Sequence, residues 1–564
     1  MVFPAFLVRV GFLCVLFRTG YTFMYEIRVV HTNNIHAQLE PMTINDRQIG
    51  GVGKVISFIQ SKYTDKILLT NVGDIFTGSD WFRVHGGKIL ADVMNEMNIK
   101  SRVLGEHELI HGSEMLLKYF QKLRLPSHLC SNCNATPAVK RYIKPYDNNQ
   151  GVPIHGIMHP RFNIGVDYFN FTEVRSAVDS NTNAKPKMPL FEFIISHGTY
   201  SFNKRLARKL RGVRMIIGGH GDTLLYNGND PEVTLGRRPA GEYPTIVKDV
   251  EGKPVFILHT TSRTKHVGFF EMNVTETGEV IWYEGAPVVM DDKIPESPAI
   301  KQIMDKYRTQ VEELRNKFVG KSSVVLDGYK DTCRRRECNF GNLITDAMAA
   351  HMAKAYGNAT SWSPVGIYLI NGGAIRTGVT PNCDSKKVRF GDLSNALPFA
   401  NMLVVMRLTG VELRKALEHS VSGYTKEQFE FLQVSGLRVQ YDFRASVGQR
   451  VQTVLARCAG CSLVKYAPLE DNKVYYVGTI DHLSDGGDGF DMFEDKEVWE
   501  YVKHVEVLDM VVEYMRRPRM IEPVDEERIL LCHSHRLNSF SKTSAVERVK
   551  LYLFFFYMLL LFVL

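Results

Sequence analysis

The chain has 564 residues, 45% of them hydrophobic and 23% charged, and its formal net charge is +8 at pH 7. This is an ordinary globular composition, and the length is enough for two or more domains that each have a full core. A small excess of Lys and Arg over such a length indicates a solvated surface. No nucleic-acid motif accompanies it, so nucleic acid is excluded as an expected partner.

The first segment of the chain is apolar. Residues 2–17 are nearly all apolar apart from Arg9, and small and polar residues follow as far as Thr22. This pattern predicts a secretory signal peptide over residues 1–22, whereas a first buried strand would lie too close to the next block. Four N-glycosylation sequons agree with secretion and begin at Asn134, Asn170, Asn273 and Asn358.

Short apolar runs that break into Gly, Asn or Ser characterise residues 23–297. These runs alternate with amphipathic segments, which predicts an α/β layered domain with functional side chains at the strand ends. The side chains suited to metal binding are Asn34, His36, Asp74, Glu106, His197, His220 and Asp222. Because strand ends meet at one edge of a sheet, these imidazole and oxygen ligands suit a two-metal hydrolytic centre.

A breaker, Pro295-Glu296-Ser297-Pro298, ends this pattern. Apolar positions from Ile300 to Phe318 then recur at helical spacing, which predicts a linker helix over residues 298–320. A second domain is expected over residues 321–530, where no internal repeat or low-complexity tract occurs.

Six of the nine cysteines form close pairs along the chain. In an oxidising compartment such pairs predict local disulfides, and these are Cys130 with Cys133, Cys333 with Cys338, and Cys458 with Cys461. Zinc or thioredoxin chemistry is disfavoured because no second Cys or His pair stands at zinc spacing. Cys14 leaves with the signal peptide, while Cys383 and Cys532 have no obvious partners.

The tail, residues 531–564, ends in fourteen apolar residues, 551–564, without a charge. This run is shorter than the ~20 residues that a membrane-spanning helix needs. Small and polar residues around Ser541 precede it, and this order is typical of a GPI-attachment signal, which would give membrane attachment through a lipid anchor. A short tail anchor and an aberrant end of the reading frame remain alternatives.

Several blocks keep a fixed order along both domains. In the first domain they are T-N-N-I-H at 32–36, G-D at 73–74, G-E-H-E-L-I at 105–110, S-H at 196–197 and G-G-H-G-D-T at 218–223. In the second they are C-R-R-R-E-C-N-F-G-N-L at 333–343, N-G-G-A-I-R at 371–376, L-P-F at 397–399 and D-G-G-D-G-F at 485–490. These blocks resemble the 5'-nucleotidase family, which includes ecto-5'-nucleotidases and secreted apyrases, over about residues 26–530.

The resemblance implies an α/β (α+β) fold. Its N-terminal domain would be a four-layer, calcineurin-like metallophosphoesterase domain, and its C-terminal domain would be the 5'-nucleotidase substrate-binding domain.

The resemblance also implies two divalent metal ions, zinc or similar. The first ion would be held at Asn34, His36, Asp74 and Asp222, and the second at Asp74, Glu106, His197 and His220. Three of these positions depart from the family pattern, which has Asp at 34, Asn at 106, and Asn or Gln at 222. We expect Asp222 to compensate for the charge that Asn34 lacks.

His107 stands where the family places the histidine that supports the phosphoryl transition state. Ile110 replaces the Asp that would orient it, so a leftover loop histidine is the alternative. The resemblance implies nucleotide binding by Arg334, Asn371, Arg376, Phe399, His482 and Asp488. His482 replaces one aromatic residue of the clamp around the base, and an imidazole offers less stacking area than a phenyl ring.

The expected function is therefore a metal-dependent nucleotide phosphohydrolase, secreted or attached to the extracellular face of the plasma membrane. It would remove the terminal phosphate from extracellular nucleotides, as 5'-nucleotidases or apyrases do, at an impaired rate. The alternative is an inactive family member that binds a nucleotide or another partner. A purely adhesive glycoprotein is a third reading. The preference between mono- and diphosphates, the identity of the metal and the oligomeric state, including a homodimer, stay open.

Overall fold

The computed structural model describes residues 24–44, 46–62, 67–124, 128–149, 152–159, 169–172, 174, 191–357, 363–424, 429–461, 463–494, 496, 498–517 and 520–532. The predicted signal peptide, the apolar tail and the sequon at Asn358 lie outside these residues. Within them, no helix combines the length and apolarity that crossing a bilayer requires. Two compact units divide the chain, Met1–Val311 and Glu312–Leu564.

The first unit alternates strands with helices. Its strands are β1 (Met24–Thr32), β2 (Met42–Ile44), β3 (Arg47–Ile49), β4 (Ile67–Asn71), β5 (Ser101–Val103), β6 (His128–Leu129), β7 (Cys133–Ala135), β8 (Ile143–Lys144), β9 (Tyr146–Asn149), β10 (Val152–Met158), β11 (Phe169–Phe171), β12 (Glu192–His197), β13 (Val213–Gly218), β14 (Thr245–Lys248), β15 (Pro254–Leu258), β16 (His266–Thr275) and β17 (Val280–Val289). Its helices are α1 (Val52–Lys62), α2 (Asp80–His85), α3 (Gly87–Met97), α4 (Glu106–Ile110), α5 (Ser113–Lys122), α6 (Pro137–Lys140), α7 (Tyr200–Ala207) and α8 (Pro231–Thr234), and α9 (Pro298–Arg315) follows.

Two large sheets carry this unit. One is ordered β17-β16-β1-β4-β5-β6-β8 and the other β14-β15-β13-β12-β10-β9. The central pairings are parallel in both sheets, as between β1 and β4 and between β12 and β13, while the edge pairs β16 with β17 and β14 with β15 are antiparallel. Parallel strands end at the same edge of their sheet, so the loops that follow them are brought together.

Four layers follow from the alternation of side chains along the strands. Val29 and Ile195 pack in the core between the two sheets. Their chain neighbours point to the opposite faces: Val30 packs in the core that includes α1, α3 and α5, and Ile194 packs in the core that includes α7. Because successive side chains of a strand face opposite sides, each buried sheet needs two apolar faces. The expected four-layer architecture of this domain is confirmed.

A buried ion pair joins Arg214 in β13 to Asp249, which directly follows β14. Nη1 of Arg214 lies 3.3 Å from Oδ2 of Asp249, both side chains are 1% exposed, and Nε of Arg214 donates to the carbonyl of Gly278 at 2.7 Å. Removing one partner leaves the other charge buried and unpaired, so Arg214→Met should lower the free energy of unfolding by about 3–5 kcal/mol. Chemical denaturation measures this. Lys118→Ala, which breaks an exposed pair, is the control and should leave stability unchanged.

The helix that contains the boundary of the two units is shorter than predicted. It runs from Pro298 to Arg315, with Ile300, Met304, Tyr307 and Val311 buried in the core of the first unit. Phe318, which the spacing assigns to the helix, instead begins strand β18 (Phe318–Lys321) and is 51% exposed. The apolar spacing continues beyond the end of the helix because Phe318, an exposed residue of β18, falls at a position that fits the helical period.

The second unit is also mixed α/β. Its further strands are β19 (Ile367–Asn371), β20 (Lys387–Arg389), β21 (Met402–Thr409), β22 (Leu432–Ser435), β23 (Leu437–Asp442), β24 (Val451–Arg457), β25 (Tyr466–Pro468), β26 (Val474–Ile480), β27 (Val498–Glu506) and β28 (Ile529–Cys532). Its helices are α10 (Lys330–Cys333), α11 (Asn339–Tyr356), α12 (Phe390–Ala396), α13 (Gly410–Ser420), α14 (Asp481–Ser484) and α15 (Val507–Met515), with single 3-10 turns at Gly372–Ala374, Gly487–Gly489 and Asp491–Phe493.

Three sheets organise these elements, in the orders β22-β19-β26-β21-β27, β25-β24-β23-β28 and β18-β20. Helix α11 packs on the first of them through Phe340 and Ile344, which share one core with Leu369 of β19 and Val477 of β26. The end of β19 leads directly into the turn at residues 372–374.

All three predicted disulfides are present. They join Cys130 to Cys133, Cys333 to Cys338, and Cys458 to Cys461. Cys383 is an exposed thiol and Cys532 a buried one. Local disulfides of this kind are typical of proteins that fold in an oxidising compartment.

Candidate functional site

Four side chains from four strand ends meet in the first unit. Asp74 lies three residues after β4, Glu106 three residues after β5, His197 ends β12, and His220 follows β13. Each offers a ligand atom, and these atoms all lie within 4.8 Å of one another. Nε2 of His197 is 2.7 Å from Glu106 and 3.2 Å from Asp74, and Nδ1 of His220 is 3.1 Å from Glu106. We call these four residues the carboxylate–imidazole group.

Two glycines allow the loops to approach so closely. Gly73 has a φ of +89°, and a β-carbon placed on it would lie 2.8 Å from Nδ1 of His197. A β-carbon on Gly105 would lie 1.9 Å from Oδ1 of Asp74. Any larger residue would therefore push the loops after β4 and β5 apart, which explains why glycine precedes both acidic residues.

Glu108 holds the same two loops together. One carboxylate oxygen accepts the backbone N–H groups of Ile75 and Phe76 at 2.6 and 2.8 Å, and the other accepts those of Asp74 and Gly105 at 3.0 and 2.6 Å. Burial and the nearby Asp74 charge raise the pKa of Glu108 to about 7. Glu108 is not among the site residues that the sequence predicted. The available signal was a Glu three residues after the glycine that immediately precedes a helix, which is the spacing of a capping box.

The electrostatics of the carboxylate–imidazole group favour a cation. Burial alone would lower the pKa of His197, but the Asp74 and Glu106 carboxylates outweigh burial and hold it well above its ordinary value. Burial would likewise raise the pKa of Glu106, yet His220 and His197 hold it well below its ordinary value. Two ionised carboxylates beside two imidazoles form a donor set that fits a zinc ion or a similar divalent ion.

His36 and His107 also lie close to the Asp74 carboxylate. With Asp74 they form a second group whose ligand atoms lie within 4.8 Å of one another. Their ring centroids are 4.9 Å apart, and the backbone N–H of His107 donates to Oδ1 of Asp74 at 3.2 Å. Burial, His107 and Arg263 together lower the pKa of His36, so its imidazole is neutral. Ile110 ends the same helix as His107 and offers only an alkyl side chain.

Asp222 is not brought into either group. Its carboxylate lies 2.6 Å from Nζ of Lys265 and 2.5 Å from Nη1 of Arg237, and it also accepts the backbone and hydroxyl hydrogens of Ser262. Arg237 and Lys265 outweigh burial and hold the pKa of Asp222 well below its ordinary value. That Asp222 compensates for Asn34 stays a prediction, while in the structure two cations already match the charge of Asp222.

Asn34 accepts hydrogen bonds from the backbone of two other loops. Its side-chain oxygen accepts the N–H of His220 at 3.2 Å, and its carbonyl accepts the N–H of Arg263 at 2.8 Å. Asn34 thus positions the loop that carries His220.

In the second unit, three expected residues converge: Asn371 is the last residue of β19, and His482 and Asp488 follow β26. Nδ2 of Asn371 donates to Oδ2 of Asp488 at 2.6 Å, and Nε2 of His482 lies 3.4 Å from the same oxygen. Asn371 also donates to the carbonyl of Phe429 at 3.1 Å. Asp488 has a φ of +50°, a conformation that few residues other than glycine, Asn and Asp adopt.

Aromatic rings cover both expected arginines. The guanidinium of Arg334 lies 4.6 Å from the centroid of the Phe429 ring, and that of Arg376 lies 5.6 Å from the centroid of the Phe399 ring. Such contacts orient a guanidinium and keep its charge. Phe429 stands in none of the recognised blocks, so the sequence did not predict its role.

A layered α/β unit with carboxylates and imidazoles at the ends of parallel strands defines a protein of the metallophosphoesterase type. A family model described as "5'-nucleotidase, C-terminal domain" matches residues 318–495. The human 5'-nucleotidase is 31% identical over 540 residues, which cover 92% of this chain and 93% of that protein. Protein 5NUC of Lutzomyia longipalpis is 30% identical and covers 90% of this chain and 92% of its own length.

Among solved structures, the 5'-nucleotidase precursor of Thermus thermophilus is similar, with a TM-score of 0.61 and 29% identity, over 90% of this chain and 100% of that one. The chain belongs to the 5'-nucleotidase family.

Proposed function

We propose that this chain is an extracellular, metal-dependent nucleotide phosphohydrolase that removes a terminal phosphate, as a 5'-nucleotidase or an apyrase does. The observation that carries the proposal is the carboxylate–imidazole group, whose ligand atoms lie within 4.8 Å of one another in a member of this family. The three local disulfides support secretion, and attachment through a lipid anchor is part of the same proposal.

A divalent ion would be held by Asp74, Glu106, His197 and His220. When bound, such an ion acidifies water and polarises a phosphoryl oxygen. The chain itself contributes the positioning: Glu108 fixes the loops that carry the two carboxylates, and the carbonyl of Val72 accepts from Nδ1 of His197 at 2.5 Å. That contact sets the tautomer, because the proton on Nδ1 leaves Nε2 as the ligand atom.

Nucleotide binding is assigned to the second unit. Arg334 and Arg376 would provide positive charge, and the Asp488 carboxylate, held by Asn371, would accept hydrogen bonds from sugar hydroxyls. Phe399 and His482 would stack on the base. Because His482 is smaller than a phenyl ring and is also paired with Asp488, we expect weak discrimination among bases.

Phosphate release from nucleoside mono-, di- and triphosphates tests the proposal. The purified secreted chain is assayed with zinc, manganese or magnesium, before and after treatment with a chelator. We expect release that depends on the added ion and is lost with the chelator. No release with any nucleotide or ion would contradict hydrolysis. Calorimetric nucleotide binding without release would instead favour the inactive binding protein, for which the changes at Asn34 and Ile110 are the specific observations.

His107 provides a prediction about rate. Ile110→Asp would place a carboxylate three residues from His107 on the same helix, where it could accept a hydrogen bond from the imidazole and stabilise its charged form. Turnover should rise by about 10-fold or more, which is the scale of restored acid–base geometry. Initial rates of phosphate release at full metal loading measure this.

The control is Ile110→Asn, which offers a hydrogen-bond acceptor without the charge and should give a smaller gain. Unchanged turnover in folded, metal-loaded Ile110→Asp would show that the orientation of His107 does not limit the rate.

A further inference from the structure

Arg263 lies beside the position where the family resemblance expects the first metal ion. Its side chain is buried, and its Nη1 donates to the carbonyl of Gly78 at 3.3 Å. A β-carbon placed on Gly78 would lie 3.0 Å from this nitrogen and 2.7 Å from Cβ of His36. The guanidinium is therefore a neighbour of His36 inside the unit.

The backbone around Arg263 is held in an unusual conformation. Arg263 and Thr264 have φ values of +59° and +56°, and the N–H of Arg263 donates to the carbonyl of Asn34 at 2.8 Å. Two successive non-glycine residues with positive φ cost energy and persist only where the surroundings enforce them. The segment that carries Arg263 is thus fixed against the loop that carries Asn34 and His36.

The charges around His36 differ from those of the carboxylate–imidazole group. Asp74 is the carboxylate among the ligand atoms near His36, because Asn34 is neutral and the Asp222 charge is matched by Lys265 and Arg237. The carboxylate–imidazole group has two carboxylates, those of Asp74 and Glu106. A divalent ion placed near His36 would share one carboxylate and would be repelled by a buried guanidinium in a medium of low dielectric.

We propose that this chain holds one divalent ion, in the carboxylate–imidazole group, and that Arg263 supplies positive charge in place of the other ion that the resemblance implies. The carboxylate–imidazole group thus fits one of the two expected ions, whereas the residues around His36 do not fit the other. This inference rests on the proposed function in one respect, namely that the carboxylate–imidazole group binds a divalent ion. A guanidinium also suits this role chemically, because its planar donors match the oxygens of a phosphate group.

Metal content tests the proposal without any assay of activity. The secreted protein is equilibrated with excess zinc and desalted, and zinc per chain is measured by plasma mass spectrometry and by calorimetric titration. We expect one ion per chain, and X-ray anomalous scattering at the zinc edge should place it between His197 and His220. Two tightly held ions would overturn this inference but leave the proposed function intact, whereas no ion would overturn both.

The role of Arg263 is tested with a double variant. Asn34→Asp with Arg263→Met restores a carboxylate and removes the positive charge while keeping most of the aliphatic bulk, so the content should rise from one ion to two. Asn34→Asp alone, which keeps the guanidinium, is the matched control and should remain near one. A double variant that still holds one ion would overturn the role assigned to Arg263. Should methionine prevent folding, Arg263→Gly suits the positive φ and replaces it.

Discussion

Asp74→Asn should abolish zinc retention and reduce phosphate release more than 100-fold while leaving the fold intact. Asp74 supplies the carboxylate shared by both groups of ligand atoms, and the substitution keeps its size. An amide oxygen can still accept the N–H of His107, but the negative charge beside His197 is lost. Changing a residue that only orients a metal ligand costs about 10–100-fold in affinity, so losing a ligand charge should exceed that range.

Zinc titration by calorimetry and initial rates of phosphate release measure the two effects. The matched control is Asp292→Asn in the same unit, where an exposed carboxylate pairs with Lys54 at 2.9 Å. It should leave both quantities unchanged. If Asp74→Asn retained wild-type zinc affinity, the carboxylate–imidazole group would not be the metal site.

The strand ends explain why much of the site could be predicted from the sequence. Asp74, His197 and His220 follow apolar runs that form the parallel strands β4, β12 and β13. Parallel strands bring their carboxyl ends to one edge, so a pattern in the sequence becomes a position in space. The four-layer architecture follows from the same runs, because continuous apolar strands need cover on both faces.

Asp222 shows what the sequence does not contain. Its partners Arg237 and Lys265 are 15 and 43 residues away along the chain. Which cation pairs with a given carboxylate is decided by the packing of loops between strands, and no periodicity records it. A motif can therefore assign Asp222 a role near Asn34, but it carries no record of these two basic partners.

Arg263 was missed for a related reason. It stands in none of the recognised blocks, and its backbone conformation depends on a contact with the carbonyl of Asn34, more than 200 residues earlier. Phe429 is a comparable case in the second unit, since its ring meets Arg334 only after the chain has folded. Glu108, by contrast, could have been found, because its distance from Gly105 is a local pattern.

Glu108→Gln should destabilise the first unit and weaken metal binding together. The Glu108 carboxylate accepts four backbone N–H groups, two on each oxygen. A glutamine keeps one acceptor oxygen and turns an NH₂ group toward the other two donors. If the amide oxygen faces Ile75 and Phe76, the N–H groups of Asp74 and Gly105 lose their acceptor. Each buried donor left without an acceptor costs about 1–3 kcal/mol, so the free energy of unfolding should fall by roughly 2–6 kcal/mol.

Metal affinity should fall by about 10–100-fold in the same variant, because Glu108 orients the loops that carry two of the ligands. Chemical denaturation of the metal-free protein isolates the first effect, and zinc titration of the folded variant isolates the second. Glu114→Gln provides the matched control, since the same substitution there affects an exposed side chain that pairs with Lys118 at 2.7 Å. A Glu108→Gln protein with unchanged stability would mean that the loops after β4 and β5 hold their shape without this carboxylate. Their approach would then depend on the two glycines, Gly73 and Gly105, that leave room for it.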